Sequence, residues 1–98
     1  MIEVRFSKTA AQHIIDAAIN WRTHHPQKPE LFNEELQRAI DLLERHPEIG
    51  PRARTKRYKE ARVLVMRETE HLLVYRRETK RRLRILALHP SRATPERP

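Results

Sequence analysis

Ala61-Arg62-Val63-Leu64-Val65-Met66-Arg67, His71-Leu72-Leu73-Val74-Tyr75-Arg76-Arg77 and Arg82-Leu83-Arg84-Ile85-Leu86-Ala87-Leu88 decide the fold of this 98-residue chain. Each run is rich in β-branched residues or leucine, and each is separated from the next by a short polar connector, Glu68-Thr69-Glu70 or Glu78-Thr79-Lys80-Arg81. That pattern predicts consecutive strands joined as hairpins. In a strand, successive side chains point to opposite faces. Val63 and Val65 therefore oppose Arg62, Leu64 and Met66, while Leu83, Ile85 and Ala87 oppose Arg82, Arg84, Leu86 and Leu88. The purely apolar sets are expected to face a core, and the mixed sets to form a partly exposed surface available to a partner.

Upstream of the strands the spacing changes. Ile2, Val4 and Phe6 alternate with Glu3 and Arg5, predicting one more short strand. Ser7 stands where a helix N-cap belongs, and Ala11, Ile14, Ile15, Ala18 and Trp21 follow at helical spacing to about His24. Pro29 fits the first turn of a second helix, whose stripe is Phe32, Leu36, Ala39, Ile40 and Leu43, and which ends before Pro47. The short connection from His25 to Lys28 predicts an antiparallel helical hairpin. Pro47-Glu48-Ile49-Gly50-Pro51 holds the only glycine, read as a turn that needs one permissive backbone position. The expected architecture is α+β, in the order β-α-α-β-β-β, with the hairpin packed on one face of a small, mainly antiparallel sheet. It forms a single domain over residues 1–90, followed by a flexible tail at 91–98.

Charge is segregated along the chain. Residues 1–50 hold 6 Lys/Arg against 8 Asp/Glu, whereas residues 51–98 hold 15 against 5, which accounts for the net charge of +8. The excess opens at Pro51-Arg52-Ala53-Arg54-Thr55-Lys56-Arg57-Tyr58-Lys59, with 5 basic residues in 9. A polyanion or an acidic protein is the partner such a field attracts. The absence of cysteine excludes a disulfide scaffold, a thiolate zinc site and a cysteine nucleophile. One glycine cannot build a phosphate-cradling loop, which argues against nucleotide hydrolysis. The histidines lack carboxylate or cysteine partners at ligand spacing, so no metal and no cofactor is expected. No apolar run reaches the roughly 18–20 residues of a membrane span, and a cytoplasmic, membrane-free protein is expected.

The ordered set of Val4, Phe6, Ala11, Ile14 and Trp21, then Leu42-Leu43-Glu44-Arg45-His46-Pro47-Glu48-Ile49-Gly50, Arg62, Tyr75-Arg76 and Leu86-Ala87-Leu88-His89-Pro90-Ser91-Arg92, resembles the RelE/ParE superfamily of toxins from type II toxin–antitoxin pairs. Leu43, Pro47 and Gly50, together with the terminal His89 and Arg92, look more like the ParE branch. Where many relatives carry glycine before the arginine of the second strand, this chain has Glu60-Ala61. The resemblance implies a cognate antitoxin, within a toxin–antitoxin hetero-oligomer. It implies DNA gyrase as target on the ParE branch, or the ribosome and mRNA on the RelE branch, so whether the chain is an enzyme stays open.

On the ribonuclease alternative, Arg62 and Arg84 would hold phosphate and His89 would move a proton. That set lacks a tyrosine or second histidine in the final segment. Candidate binding residues are Lys56, Arg57, Tyr58, Lys59, Tyr75, Arg76 and Arg92, the aromatics being able to stack on bases and the cations to meet phosphate or carboxylate. Tyr75 reads equally well as core packing. A third reading is a small basic domain that binds nucleic acid without sequence preference.

Overall fold

A computed structural model describes residues 1–53 and 56–91. Its elements are β1 (Glu3–Phe6), α1 (Lys8–His24), α2 (Leu31–Arg45), β2 (Arg62–Met66), β3 (His71–Thr79) and β4 (Arg82–Pro90). The strands form one sheet in the order β1-β4-β3-β2. β1 runs parallel to β4, and the other pairs are antiparallel. The expected element order and layering are thus present. Of the tail expected at 91–98, residues 92–98 lie outside the described residues. Ser91 itself donates its amide to Glu70 O at 2.9 Å.

Ser7 caps α1 as its hydroxyl chemistry requires, accepting from the Ala10 amide at 3.0 Å. The same hydroxyl donates to Leu86 O at 3.2 Å, so the cap also ties the helix start to β4. β1 pairs only with residues 82–85 of β4. Beyond them α1 covers the bare strand edge, and His13 Nδ1 accepts the Leu88 amide at 3.2 Å. This placement rotates the buried side of α1 away from the expected stripe. Ala10 is buried, and Ile14, Ala17, Ala18 and Trp21 pack on the core. Ile15 and Ile19 remain 52% and 57% exposed.

The corner between the helices is fixed by Trp21, whose indole N–H donates to Lys28 O at 2.8 Å while its ring stacks on His25 at 3.7 Å. α2 begins at Leu31, two residues after Pro29, and buries Phe32, Leu36, Ala39 and Leu43 along the expected stripe. Glu35 is the polar member of that buried side. Its carboxylate accepts from the Glu68 and Thr69 amides at 2.8 and 2.9 Å and from the Thr69 hydroxyl at 2.7 Å, closing the β2–β3 turn.

The expected sheet faces need two corrections. On β2, Leu64 and Met66 join the helix-side core, while Val63 packs on the other side. On β4 the alternation changes phase, because Val74 pairs with Ala87 and Tyr75 with Ile85, leaving Leu86 as an extra residue. Leu83, Ile85 and Leu88 consequently face the helices, whereas Leu86 and Ala87 face outward with Val74. A bulge inserts one residue and shifts every later side chain by one position, which simple alternation cannot register.

Gly50 is needed for a different reason from the expected one. Its φ is not positive; a Cβ there would lie 2.3 Å from Val63 O and 3.0 Å from the Tyr75 hydroxyl. Close backbone approach, not backbone permissiveness, selects glycine at this turn. Left-handed conformations fall instead on Glu60 (φ 57°) and Glu70 (φ 63°).

Candidate functional site

The face of the sheet turned away from the helices divides into two halves. In one, Ala61, Val74, Leu86 and Ala87 form a second small core, onto which Ala53, Tyr58 and Val63 pack. Residues 51–53 run antiparallel beside the β2 segment, with Ala53 N donating to Ala61 O at 2.8 Å and Val63 N to Pro51 O at 3.0 Å. The other half is open and charged. Register places Arg5 beside Arg84 and Arg84 beside Arg76, one arginine on each of three adjacent strands.

Carboxylates border this row. Arg84 Nε donates to Glu78 Oε2 at 2.6 Å, and Arg5 Nε to Glu3 Oε2 at 2.7 Å. Arg82 approaches the second Glu3 oxygen at 3.4 Å. The hydrogen bond from Arg84 holds the Glu78 carboxyl below the usual carboxylate range, and that from Arg5, aided by Arg82, does the same for Glu3. Glu78 occupies the extra position in β3, between the Arg77–Leu83 and Thr79–Arg82 pairs, so a bulge turns it toward Arg84. The contacts of Glu3 with Arg5 and Arg82 are exposed and the Arg84–Glu78 pair is partly so, and ion pairs open to solvent contribute little to stability.

The basic segment lies alongside. Arg76 Nη1 donates to Lys59 O at 3.3 Å, and the Arg57 guanidinium sits 5.5 Å from the centre of the half-buried Tyr58 ring. Lys56 and Lys59 are exposed there. Arg92 lies outside the described residues.

The candidates proposed for phosphate chemistry do not converge. Arg62 lies on the helix side, across from Tyr75 in register, and donates through Nη1 to Gly50 O at 2.8 Å. Tyr75 is fully buried, and its hydroxyl accepts the Gly50 amide at 2.9 Å. Burial pushes the Tyr75 hydroxyl above its ordinary pKa. These two side chains brace the turn before β2, and Tyr75 has no free face on which a base could stack. Arg84 points to the opposite side. His89 is five residues further along β4, about 16 Å at roughly 3.3 Å per residue. No single phosphate can meet Arg62, Arg84 and His89 together.

His89 does acquire a neighbour that sequence spacing hides. α1 brings the His13 ring to 5.2 Å from it. Since His13 Nδ1 accepts the Leu88 amide, the hydrogen of neutral His13 is on Nε2. Burial first, then His13 and Arg57, hold His89 below its ordinary pKa. The only clue to this pair in the sequence is that α1 must cover whatever part of β4 the four-residue β1 leaves bare.

Among the described residues no helix is long and apolar enough to cross a membrane, and no group of three or more His, Cys, Asp or Glu side chains is placed to hold a metal ion.

Similar folds have been solved. The ParDE toxin–antitoxin system of P. aeruginosa superposes with a TM-score of 0.72 at 13% identity, covering 92% of this chain and 96% of that one. The E. coli DinJ-YafQ complex superposes with a TM-score of 0.65 at 16% identity, covering 98% and 100%. No curated protein matches the sequence. The family model described as the ParE toxin of the parDE type II toxin–antitoxin system matches residues 4–94. With that match spanning nearly the whole chain over the same β-α-α-β-β-β frame, the protein belongs to the ParE toxin family of type II toxin–antitoxin systems.

Proposed function

We propose that this ParE-family protein is a cytoplasmic toxin that inhibits DNA gyrase without catalysis of its own and is neutralised by a cognate antitoxin. The observation that carries the reading is the dispersal of the phosphate-chemistry candidates: Arg62 braces the Gly50 turn, while Arg84 and His89 stand at opposite ends of β4. What is left outward is a charged, ion-paired face suited to binding rather than bond cleavage. Antitoxin binding is supported by Ile15 and Ile19, one turn apart on α1 and more than half exposed. Their apolar face suits an amphipathic segment that folds on docking. The test is gyrase supercoiling with purified toxin. Supercoiling is expected to fall as toxin is added and to recover with antitoxin; normal supercoiling at excess toxin refutes the proposal.

A second reading keeps one observation in its favour. The His13–His89 pair provides the second histidine that ribosome-dependent mRNA cleavage would use. Primer extension on transcripts during growth arrest separates the two readings, since codon-positioned cleavage belongs only to the ribonuclease.

A further inference from the structure

We infer that the open half of the outer sheet face, centred on Arg5, Arg84 and Arg76, binds the phosphate backbone of duplex DNA directly. This deepens the gyrase reading by naming a nucleic-acid partner for the same surface, and it rests on that reading only for its biological setting.

Three observations point to DNA. The first is spacing. Neighbouring strands lie about 4.8 Å apart, so the three arginines span about 10 Å. Successive phosphates on one DNA strand stand further apart than their rise of about 3.4 Å along the helix axis, because the backbone winds around it, so a row of that length meets about two of them. The second is side-chain type. The row consists of guanidinium groups, whose planar fork matches phosphate oxygens two at a time. The third is what surrounds them. Glu3, Arg82 and Glu78 border the row, so this half of the face is charged throughout. Protein interfaces usually have an apolar or aromatic centre; here the apolar half of the same face is closed by Tyr58 and Ala53. A phosphate backbone needs no such centre.

The bordering carboxylates set the affinity. In the free protein Glu78 occupies Arg84, and Glu3 occupies Arg5 and Arg82. A phosphate must displace them, which exposed ion pairs permit at small cost. Glu78 is therefore a brake on DNA binding, and contacts confined to the backbone make binding insensitive to sequence.

The test is fluorescence anisotropy of a labelled duplex with the full chain and no gyrase, titrated across salt concentrations. Binding of similar strength to two unrelated duplex sequences is expected. Arg5→Ala, Arg76→Ala and Arg84→Ala should each lower the slope of log affinity against log salt by about 0.9. Glu78→Gln should raise affinity several-fold at fixed salt, a gain that misfolding cannot produce. The matched control removes the same charge from the helical side, through Arg22→Ala, Lys28→Ala and Arg38→Ala. If that control weakens binding as much as Arg5→Ala, Arg76→Ala and Arg84→Ala combined in one chain, if Glu78→Gln leaves affinity unchanged, or if polyglutamate or single-stranded RNA competes better than duplex, the inference is overturned. Failure of the parent chain to bind duplex while it still inhibits gyrase sinks only this inference. A parent chain that binds duplex as described but does not inhibit gyrase leaves the inference standing and removes the gyrase reading.

Discussion

The two sides of the sheet use the same residue type for opposite ends. On the helix side Arg62 is a brace, its guanidinium donating to the Gly50 carbonyl beside the buried Tyr75 hydroxyl. On the outer side Arg84 is held only by an exposed carboxylate, Glu78. The difference is what else each side chain meets. Arg62 reaches a backbone oxygen that cannot move without dislodging the turn, whereas Arg84 meets a side chain that any stronger anion can displace. Arg62, held by the carbonyl of a buried turn, belongs to the fold, whereas Arg84, held by a mobile counter-charge, is free to recognise a partner.

Gly50→Ala is the most severe way to break that contrast. Its Cβ would stand 2.3 Å from Val63 O and 2.9 Å from Val63 C, both backbone atoms of an edge strand that cannot rotate aside. Relief requires moving the turn, which strains the Gly50–Tyr75 and Gly50–Arg62 hydrogen bonds. The expected loss is about 2–4 kcal/mol in urea-induced unfolding. Arg84→Ala on the outer side should stay within about 0.5 kcal/mol of the parent. Comparable losses in the two variants would show that the outer arginine row is also part of the scaffold.

A smaller effect is expected from pH, acting at the other end of the helix-side core. His71 is buried edge-on to Phe32, with the ring centres 5.1 Å apart. Its Nδ1 lies 3.0 Å from the Thr69 hydroxyl, which already donates its hydrogen to Glu35. Nδ1 must therefore carry the hydrogen. Burial holds the His71 pKa below its ordinary 6.5, outweighing the opposing pull of Glu35 and Glu70. A folded value below the unfolded one means that the unfolded chain takes up the proton more readily. The contribution of neutral His71 is complete above about pH 6.5 and is lost as pH falls through the depressed folded value. Urea midpoints measured from pH 7.5 downward should decline through that window, and His71→Gln should flatten the decline. An unchanged decline in the variant would assign it to other groups.

How far the sequence was legible follows the same division. The α2 stripe, the Ser7 cap and the strand runs could be read because each depends on short-range spacing that its own residues express. The face assignment failed on β4, where Leu86 is an inserted residue, and on β2, whose helix-facing set includes Arg62 as well as Leu64 and Met66. An arginine that reaches a turn carbonyl looks in sequence like a solvated arginine, since its partner is a backbone atom twelve positions away. Ile15 looked buried because helical spacing gives a stripe but not its rotation, which here is set by the bare edge of β4. His13 and His89 are separated by most of the chain, and only tertiary packing makes them neighbours.

The mildest prediction tests the bend between Tyr58, which packs on the outer face, and β2. Glu60 adopts φ 57° two residues before β2, a left-handed conformation that crowds any Cβ, within the Glu60-Ala61 pair that stands where many relatives were expected to carry glycine before the arginine of the second strand. The strain is of order 1 kcal/mol. Glycine removes it but adds about 0.4–1 kcal/mol of unfolded-chain entropy to be lost on folding. Glu60→Gly is therefore expected to stabilise by no more than about 0.5 kcal/mol in urea unfolding. The substitution also deletes one negative charge beside Lys59, so its DNA affinity should rise slightly with the geometry of the bend retained. If stability instead falls by more than about 1 kcal/mol, the Glu60 side chain makes a contact that strain relief does not offset. The segment would then be held by more than Tyr58, Ala53, the Arg76 bond to Lys59 O and the two backbone bonds with Ala61 and Val63, and the outer face would resemble the helix side more closely than its arginines indicate.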